Sequence, residues 1–276
     1  FLYVSPVQNG FLLMAAMLLA RRLVYLARVE KERRPLRRLI GDLKLWATSG
    51  NQMVSLLIVL LLLPLFTSAF TCFKSMIPFI QSFCWDVRLS QIDQWLHFGH
   101  VPSNWTRHLL GNIWVTFGIS LLYDLWFVVM WGFFFWQAFQ HGRMVLRMQY
   151  LLSYILIWIV IGSFLAVSLS SGGPCFFGRL TDSPNVYAEH MTWLQSVDFE
   201  VSQRCAYGMK ALDLQEMLWQ RYTSSSIGFG SGISAMPSMH VAVAVLMALT
   251  AWQYGGWLRW SLFLYAFVVQ VGSGHL

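Results

Sequence analysis

Residues 236–276, MPSMHVAVAVLMALTAWQYGGWLRWSLFLYAFVVQVGSGHL, contain two apolar runs joined by a Gly-Gly turn. Pro237–Tyr254 and Trp257–Leu276 are each close to the length that crosses a bilayer as a helix. His240 lies at the beginning of the first run and His275 at the end of the second. If the runs form an antiparallel helical hairpin, both histidines lie on the same side of a membrane. Ionisable side chains are costly beside lipid, so we expect both to have a function.

The composition of the whole chain is that of a membrane protein. The 276 residues are 57% hydrophobic and only 11% charged, with a mean hydropathy of +0.55, whereas soluble domains are about a quarter charged. We predict an all-α, polytopic integral membrane helical bundle of about six transmembrane helices. The first apolar segment, about 4–20, is short and either crosses the membrane or lies in its interface. The others are Met53–Phe73, Ile113–Ala138, Tyr150–Leu169, Pro237–Tyr254 and Trp257–Leu276.

The net charge of +7 is concentrated next to apolar segments, which argues against a nucleic-acid partner. Residues 21–44 carry nine basic and three acidic side chains, so they supply +6 of the total. Such a stretch is typical of the cytoplasmic side of a membrane and of contact with anionic lipids. We therefore divide the chain into residues 1–52, an N-terminal hydrophobic segment with the basic cytoplasmic stretch, and 53–276, a membrane domain.

Successive crossings then assign a side to each loop. The loop 139–148, with Arg143 and Arg147 and no acid, falls inside, and 170–236, with a formal charge of −2, falls outside. Both His240 and His275 come out at the extracytoplasmic face, although the histidines were not used to orient the chain. Amphipathic helices within 185–222 are expected to form an extracytoplasmic helical cover.

The beginning of the Pro237 run suits an anion. Pro237 fits the first helical position, with Ser234 or Ala235 as the predicted N-cap. The free N–H groups of Ser238, Met239 and His240 would then face a phosphate, with the Ser238 hydroxyl beside them. His240 could protonate an oxygen that leaves the phosphate. The glycines of residues 228–232 allow the backbone to approach a ligand closely.

The segment Met236-Pro237-Ser238-Met239-His240-Val241 resembles the Pro-Ser-x-His signature of the type 2 phosphatidic acid phosphatase superfamily. Its form is similar to that of the inositolphosphotransferase-like (aureobasidin-resistance) branch. The likeness covers about 85–276 and includes Trp85-Asp86, residues 93–99 and the Gly-Gly-Pro-Cys-Phe-Phe-Gly stretch 172–178. His275 lies 35 residues after His240, where the family has its His-x-x-x-Asp signature, whose Asp would lie beyond Leu276.

The resemblance implies a membrane enzyme that is a lipid phosphatase or phosphotransferase. His275 would attack phosphorus and form a phosphohistidine, His240 would protonate the departing oxygen, and neither a metal nor a cofactor would be needed. The substrate would be a lipid phosphate or a phospholipid head group in the bilayer. The family's Lys-x6-Arg-Pro signature does not occur in this sequence, and Val268-Val269 replace its Ser-Arg. Arg179 is the first candidate for the phosphate-binding cation, followed by Arg204, Lys210 and Arg221.

Other features leave alternatives open. Asp124 lies inside an apolar segment, where an acid is a functional candidate by default. A transporter or channel that uses Asp124 and the membrane-end histidines is the alternative function, although a structural partner for Asp124, a Tyr or Ser on another helix, is favoured. The aromatic run Trp126–Trp136 suggests a lipid- or interface-facing helix. We expect a multi-pass protein of the bacterial inner (plasma) membrane with its active site facing outside.

Overall fold

A computed structural model describes residues 3–48, 50–140, 142–205, 207–228 and 230–276. The side chains of residues 4–6, 13, 14, 17, 18, 46, 47 and 50–58 are not described, and Phe229 of the predicted glycine-rich segment lies outside the described residues. The fold is all-α, as predicted, and the described part of the chain contains no strand.

The first half of the chain forms the helices α1 (Val4–Arg28), α2 (Pro35–Thr48), α3 (Gly50–Ile80), α4 (Asp86–Leu96), α5 (Pro102–Leu110), α6 (Ile113–Asp124) and α7 (Trp126–Ala138). The second half forms α8 (Met144–Leu156), a π-helix (Ile157–Leu165), α9 (Ala166–Ser168), a 3-10 turn (Pro174–Phe176), α10 (Phe177–Leu180), α11 (Ala188–Arg204), α12 (Lys210–Thr223), α13 (Met239–Tyr254) and α14 (Gly256–His275).

Three described helical stretches are long and apolar enough to cross a membrane: Val59–Ile80, Ile113–Ala138 and Met144–Ser168. α13 is a shorter apolar helix, and α14 follows it after Gly255, whose φ is +73°. These helices correspond to five of the six apolar segments predicted from the sequence. The chain is therefore a helical membrane protein.

One compact unit consists of residues 1–69 and 128–151. Within it, Arg22 forms salt bridges with Asp42 and Glu30, which joins the end of α1 to α2. Phe11 packs edge-on against Phe135 with the ring centroids 5.7 Å apart. The prediction that the aromatic run Trp126–Trp136 faces lipid is wrong for most of its residues. Six of them are buried, because their side chains pack inside the protein rather than against the bilayer: Trp126, Met130, Trp131, Phe133, Phe134 and Phe135.

The second compact unit consists of residues 70–127 and 152–276 and contains every predicted site residue. Its most extensive packing is between α13 and α14, which form the predicted antiparallel hairpin. α6 lies against α14, and the amphipathic helices α11 and α12 lie against α6. Buried Leu194, Val197, Val201 and Met209 form the core beneath α11 and α12 and pack on Phe117 and Leu276, among others.

The two packing units do not coincide with the two domains predicted from the sequence, 1–52 and 53–276. The assignment of residues 53–276 to the catalytic domain remains a prediction. All four cysteines, Cys72, Cys84, Cys175 and Cys205, are free thiols.

Candidate active site

The beginning of α13 is the first part of the site. Ser238 has extended backbone angles and is the N-cap, and its Oγ accepts a hydrogen bond from the Val241 N–H at 3.4 Å. The predicted cap at Ser234 or Ala235 is therefore wrong, because the helix begins two residues after Pro237 rather than at it. The Met239 and His240 amides are among the helix's initial N–H groups, which have no acceptor within the helix. These two donors point toward the space where the helix dipole favours an anion.

His240 lies among aromatic rings. Its imidazole stacks on Tyr123 with the centroids 4.7 Å apart and tilts against Trp126 at 4.2 Å. The Trp126 indole N–H donates to the His240 carbonyl oxygen at 3.0 Å. These contacts fix the ring and the first turn of α13 while leaving the side chain half-buried rather than enclosed. None of the described residues forms a hydrogen bond with either ring nitrogen of His240, so an edge of the imidazole is available to a ligand.

Met239 occupies the other side of the helix beginning. A Cβ atom on Gly162 would lie 2.9 Å from the Met239 sulfur and 2.9 Å from Phe70. A side chain at position 162 would therefore require Met239 and Phe70 to shift. π-helical turns inside α-helices are frequent at functional sites. The Met239 side chain thus serves packing, and only its backbone amide is available to a phosphate.

His275 is the second histidine of the hairpin, and it is fully buried. Its Nδ1 lies 3.0 Å from Thr106 Oγ1, and its Nε2 lies 3.0 Å from Thr116 Oγ1. A neutral imidazole has one N–H and one lone pair. One threonine therefore accepts a hydrogen bond from the ring while the other donates its hydroxyl proton to the remaining nitrogen. No feature of the sequence predicted these threonines, which lie about 160–170 residues before His275 in the chain.

His190 on α11 contacts His275 from the side. The two rings are 5.9 Å apart, and His190 Nε2 lies 2.9 Å from the His275 carbonyl oxygen, to which it donates when that nitrogen is protonated. His190 Nδ1 is buried without a hydrogen-bond partner among the described residues. Burial lowers the pKa of His190, while its hydrogen bond with His275 opposes that shift and the charge of Arg107 adds to it. The neutral imidazole is therefore the form that the fold accommodates.

The hairpin brings the two predicted catalytic histidines to one end, but not into contact. His240 lies 15 residues before Gly255, and His275 lies 20 residues after it. At the helical rise of about 1.5 Å per residue, His275 extends roughly 7 Å further from the turn. Two groups that each lie about 3 Å from opposite sides of one phosphate are also separated by roughly 7 Å. The spacing is thus compatible with a phosphate group between them.

Lys74 is the cation that the sequence analysis missed. It lies in α3, one residue after the predicted end of the apolar span, and it is half-buried. Its backbone packs against Gly232, where a Cβ would lie 2.8 Å from the Lys74 carbonyl carbon. Its charge acts on the His240 imidazole, and it forms no salt bridge with a described carboxylate. A half-buried cation without an acidic partner is suited to an anionic ligand.

Arg221 is a second cation on the same approach to α13. Its guanidinium donates to Ser231 Oγ at 3.3 Å, and the Ser231 hydroxyl oxygen also accepts from the Gly228 N–H at 2.7 Å. Gly228 allows this contact, since a Cβ there would lie 2.8 Å from the guanidinium carbon. The loop between Gly228 and Gly232 therefore has one cation at each end, Arg221 and Lys74.

The sequence matches a known protein family over much of its length. The sequence profile described as PAP2 superfamily matches residues 87–272, which is more than half of the chain. The chain belongs to the PAP2 superfamily. The match includes Ser238, His240 and Arg179, and it ends before His275. No curated protein sequence and no solved structure matches the chain.

Membership of the PAP2 superfamily identifies the chain as a phosphatase-type enzyme, and its apolar helices indicate that the substrate is a lipid phosphate in a bilayer. The resemblance to the inositolphosphotransferase-like branch is finer than this match and remains a prediction.

Arg179, predicted as the first phosphate-binding cation of this PAP2 protein, is held by residues of α12. Its guanidinium pairs with Glu216 at 2.9 Å and stacks on Trp219. Arg179 and Glu216 line a cavity of about 400 Å³, together with Cys175, Asn185, Gln195 and Gln215, among others. Burial raises the pKa of the Cys175 thiol to about 12, which keeps the thiol protonated at neutral pH. No described contact joins Arg179 to either of the histidines predicted to be catalytic.

No described Tyr or Ser forms a hydrogen bond with Asp124, so the predicted structural partner is not found in this part of the chain. The Oδ2 atom of Asp124 is buried without a hydrogen-bond partner among the described residues. The charge of Asp124 contributes to raising the pKa of Lys210, after the larger effect of the Lys210 hydrogen bond to Tyr207. The alternative of a transporter that uses Asp124 is not favoured by the family match.

Proposed function

We propose that the chain is a membrane-embedded lipid phosphatase or phosphotransferase that works through a phosphohistidine on His275. It would act on a lipid phosphate or phospholipid head group at the extracytoplasmic face, without a metal or a cofactor. The observation that carries this proposal is the α13–α14 hairpin, which brings the Ser238–His240 helix beginning and His275 to one end of the membrane domain.

The phosphate would bind at the beginning of α13. The Met239 and His240 amides and the Ser238 hydroxyl would donate to its oxygens, and the helix dipole would favour its charge. Lys74 and Arg221 would supply the phosphate-binding cations. They replace Arg179 as the first candidates for this role. Arg179 remains a candidate for contact with the part of the substrate that extends from the site toward α12. A bound phosphate would also separate Lys74 from a protonated His240, which otherwise repel each other.

The reaction would proceed in two displacements at phosphorus. In the first, a ring nitrogen of His275 forms a bond to phosphorus as the bond to the lipid oxygen breaks, and His240 gives that oxygen its proton. One of the two threonines on His275 must release its nitrogen before the attack. In the second, water or an alcohol forms a bond to phosphorus as the phosphorus–nitrogen bond to His275 breaks, and it gives its proton to His240. Water yields inorganic phosphate, and an alcohol yields a new phosphate ester.

The side of the membrane follows from charge. Residues 21–44 are assigned to the cytoplasm, and counting the membrane crossings from there puts the end of the hairpin that carries His240 and His275 outside. The lipid chain would stay in the bilayer between helices, with only the head group at the site. A phospholipid, a sphingolipid or a polyprenyl phosphate would each satisfy this arrangement.

Purified protein in detergent, incubated with a panel of such lipid phosphates, tests the proposal. Free phosphate and new lipid products are measured with and without ceramide or glycolipid acceptors, which separates hydrolysis from transfer. We expect turnover in the presence of EDTA and an acid-labile phosphate on the peptide containing His275. His275→Ala should remove both, and His240→Ala should slow turnover by about 10²–10⁴-fold.

His108→Ala is the matched control, because His108 is an exposed histidine on the helix that carries Thr106. It should keep wild-type turnover. Near-full activity of His275→Ala on every substrate would mean that the nucleophile is misassigned. Loss of activity in EDTA, with recovery on addition of a divalent ion, would contradict the metal-independent mechanism.

A further inference from the structure

Asp86 is a buried carboxylate that the proposed reaction does not use. It lies in the first turn of α4, with 4% of its surface exposed. Its Oδ1 accepts hydrogen bonds from the Ser171 hydroxyl at 2.6 Å and the Gly173 N–H at 2.8 Å, and its Oδ2 accepts from the Gly172 N–H at 3.0 Å. Three donors from consecutive residues thus surround one carboxylate. A charge is buried in this way only when its hydrogen bonds are made.

The same loop is attached to the residues before α4. The Trp85 N–H donates to the Ser170 carbonyl oxygen at 3.2 Å, and the Ser170 hydroxyl donates to the Gln81 carbonyl oxygen at 2.9 Å. Gly173 has a φ of +88°, which lets its N–H turn toward the carboxylate. Residues 170–173, which we name the carboxylate loop, are therefore held from both ends by residues 81–86.

The carboxylate loop also holds the segment that leads into α13. The Ala235 N–H donates to the Ser171 carbonyl oxygen at 2.9 Å, three residues before the N-cap Ser238. Gly173 lies directly against Ala235, since a Cβ on Gly173 would lie 2.5 Å from the Ala235 Cβ. A connection thus runs from Asp86 through the carboxylate loop to the residues that begin the phosphate site.

We infer that Asp86 is a positioning residue, which aligns the beginning of α13 and so orients His240 as the general acid. This inference rests on the proposed function. It predicts an effect on proton donation to the leaving oxygen rather than on the stability of the fold alone. A displacement of about 1 Å at a reacting group can cost about 10²-fold in rate, which is the scale on which such a residue acts.

Asp86→Asn is the informative variant, because it keeps the shape and changes the hydrogen bonding. The Asn carbonyl can still accept from Ser171 and Gly173, but its amide N–H₂ then faces the Gly172 N–H, donor against donor. We expect kcat on an alkyl lipid phosphate to fall about 10- to 100-fold with KM changed less than about 3-fold. On an acyl-substituted nitrophenyl phosphate, whose leaving group needs no proton, the loss should be under about 3-fold.

The ratio of the turnover rates on the two substrates distinguishes a positioning role of Asp86 from a general loss of structure. A damaged fold would lower both rates equally, and that outcome would overturn the inference. Asp213→Asn is the matched control, since Asp213 is an exposed aspartate in the first turn of α12, and it should leave both rates unchanged. Ser171→Ala removes one donor of three and should show the same substrate-dependent loss to a smaller extent, which keeps the test informative if Asp86→Asn folds poorly.

Hydrogen–deuterium exchange gives a readout that does not need activity. Asp86→Asn should raise exchange in peptides covering 232–242, while Asp213→Asn should not. Unchanged exchange in these peptides would overturn the inference that Asp86 holds the beginning of α13, even if kcat falls. If the wild-type protein turned over no phosphate ester, the proposed function would fail, whereas the exchange experiment would still decide whether Asp86 holds the beginning of α13.

Discussion

At the scale of single residues, the candidate site consists of two histidines held in different ways. The His240 ring is stacked between aromatic neighbours with its nitrogens available, as an acid that must meet a substrate requires. The His275 ring is fully buried, with a threonine at each nitrogen. The difference matches the roles proposed for them, because a nucleophile needs a fixed direction of attack, whereas a general acid needs access to the leaving oxygen.

Lys74 provides the first prediction at this scale. If its ammonium group stabilises the charge on the transferred phosphoryl group, Lys74→Ala should lower kcat/KM by about 10²–10³-fold, as removal of a fixed charge-stabilising donor does in other enzymes. Lys74→Arg should recover part of the loss, because the charge remains while its shape changes. Lys44→Ala, an exposed lysine of the basic stretch, serves as the control. Equal phosphate release by Lys74→Ala and wild type would exclude Lys74 from the site.

His190 gives a prediction about pH and stability. Because burial lowers its pKa in the folded protein below the ordinary value of 6.5, the unfolded chain binds a proton below about pH 6.5 that the folded chain does not. The free energy of unfolding should therefore fall as the pH decreases from about 6.5. His190→Gln keeps a donor toward the His275 carbonyl and does not titrate. Thermal unfolding in detergent at pH 7.5, 6.5 and 5.5 should show a smaller decrease for this variant, and parallel curves would contradict the assignment.

At the scale of elements, the close approach of the π-helix to α13 depends on Gly162. Gly162→Ala places a methyl group 2.9 Å from both Met239 and Phe70, and we expect it to destabilise the protein by about 1–3 kcal/mol. Activity should also fall, because Met239 adjoins His240. Gly118→Ala is matched to it, since this glycine of α6 has nothing within 4 Å of the added Cβ. The control should be neutral or stabilised by up to about 1 kcal/mol. Equal melting temperatures of Gly162→Ala and the wild type would contradict the close approach of Gly162 to Met239 and Phe70.

The elements also show what a sequence can predict. Hydropathy locates the hairpin and the other long apolar helices, because each reflects composition over about 20 residues. The beginning of α13 was predicted two residues early, since Pro237 and Ser238 are both good helix-start residues and only the backbone angles decide between them. The burial of the Trp126–Trp136 run was missed, because an apolar surface that faces lipid and one that faces protein have the same composition.

The remaining site residues depend on contacts distant in sequence. Thr106, Thr116 and His190 meet His275 across 85–169 residues, and no local pattern marks them. Lys74 could have been predicted from the sequence, because a charged side chain at the end of an apolar span is a functional candidate that needs an anionic partner. Asp86 was noted in the family resemblance, but its hydrogen bonds to the carboxylate loop are visible only in the structure.

At the scale of the whole molecule, the charge distribution predicts that the basic stretch is cytoplasmic and that the histidines are extracytoplasmic. Positive charge is retained on the cytoplasmic side, so residues 21–44 should be inside and the end of the hairpin outside. The orientation decides which leaflet supplies the substrate. With the site outside, lipids whose phosphate head groups face the extracytoplasmic water are the substrates to test first.

Cysteine labelling in intact cells tests this orientation. Cys84 is an exposed native thiol in residues 74–112, which the same count of crossings places outside. It can report the outer face once Cys72, Cys175 and Cys205 are replaced by serine. A membrane-impermeant maleimide should label Cys84 directly. Lys44→Cys, made with Cys84 also replaced by serine, should be labelled only after the membrane is permeabilised. The opposite pattern would place the histidines in the cytoplasm, and the site would then draw on lipids of the inner leaflet.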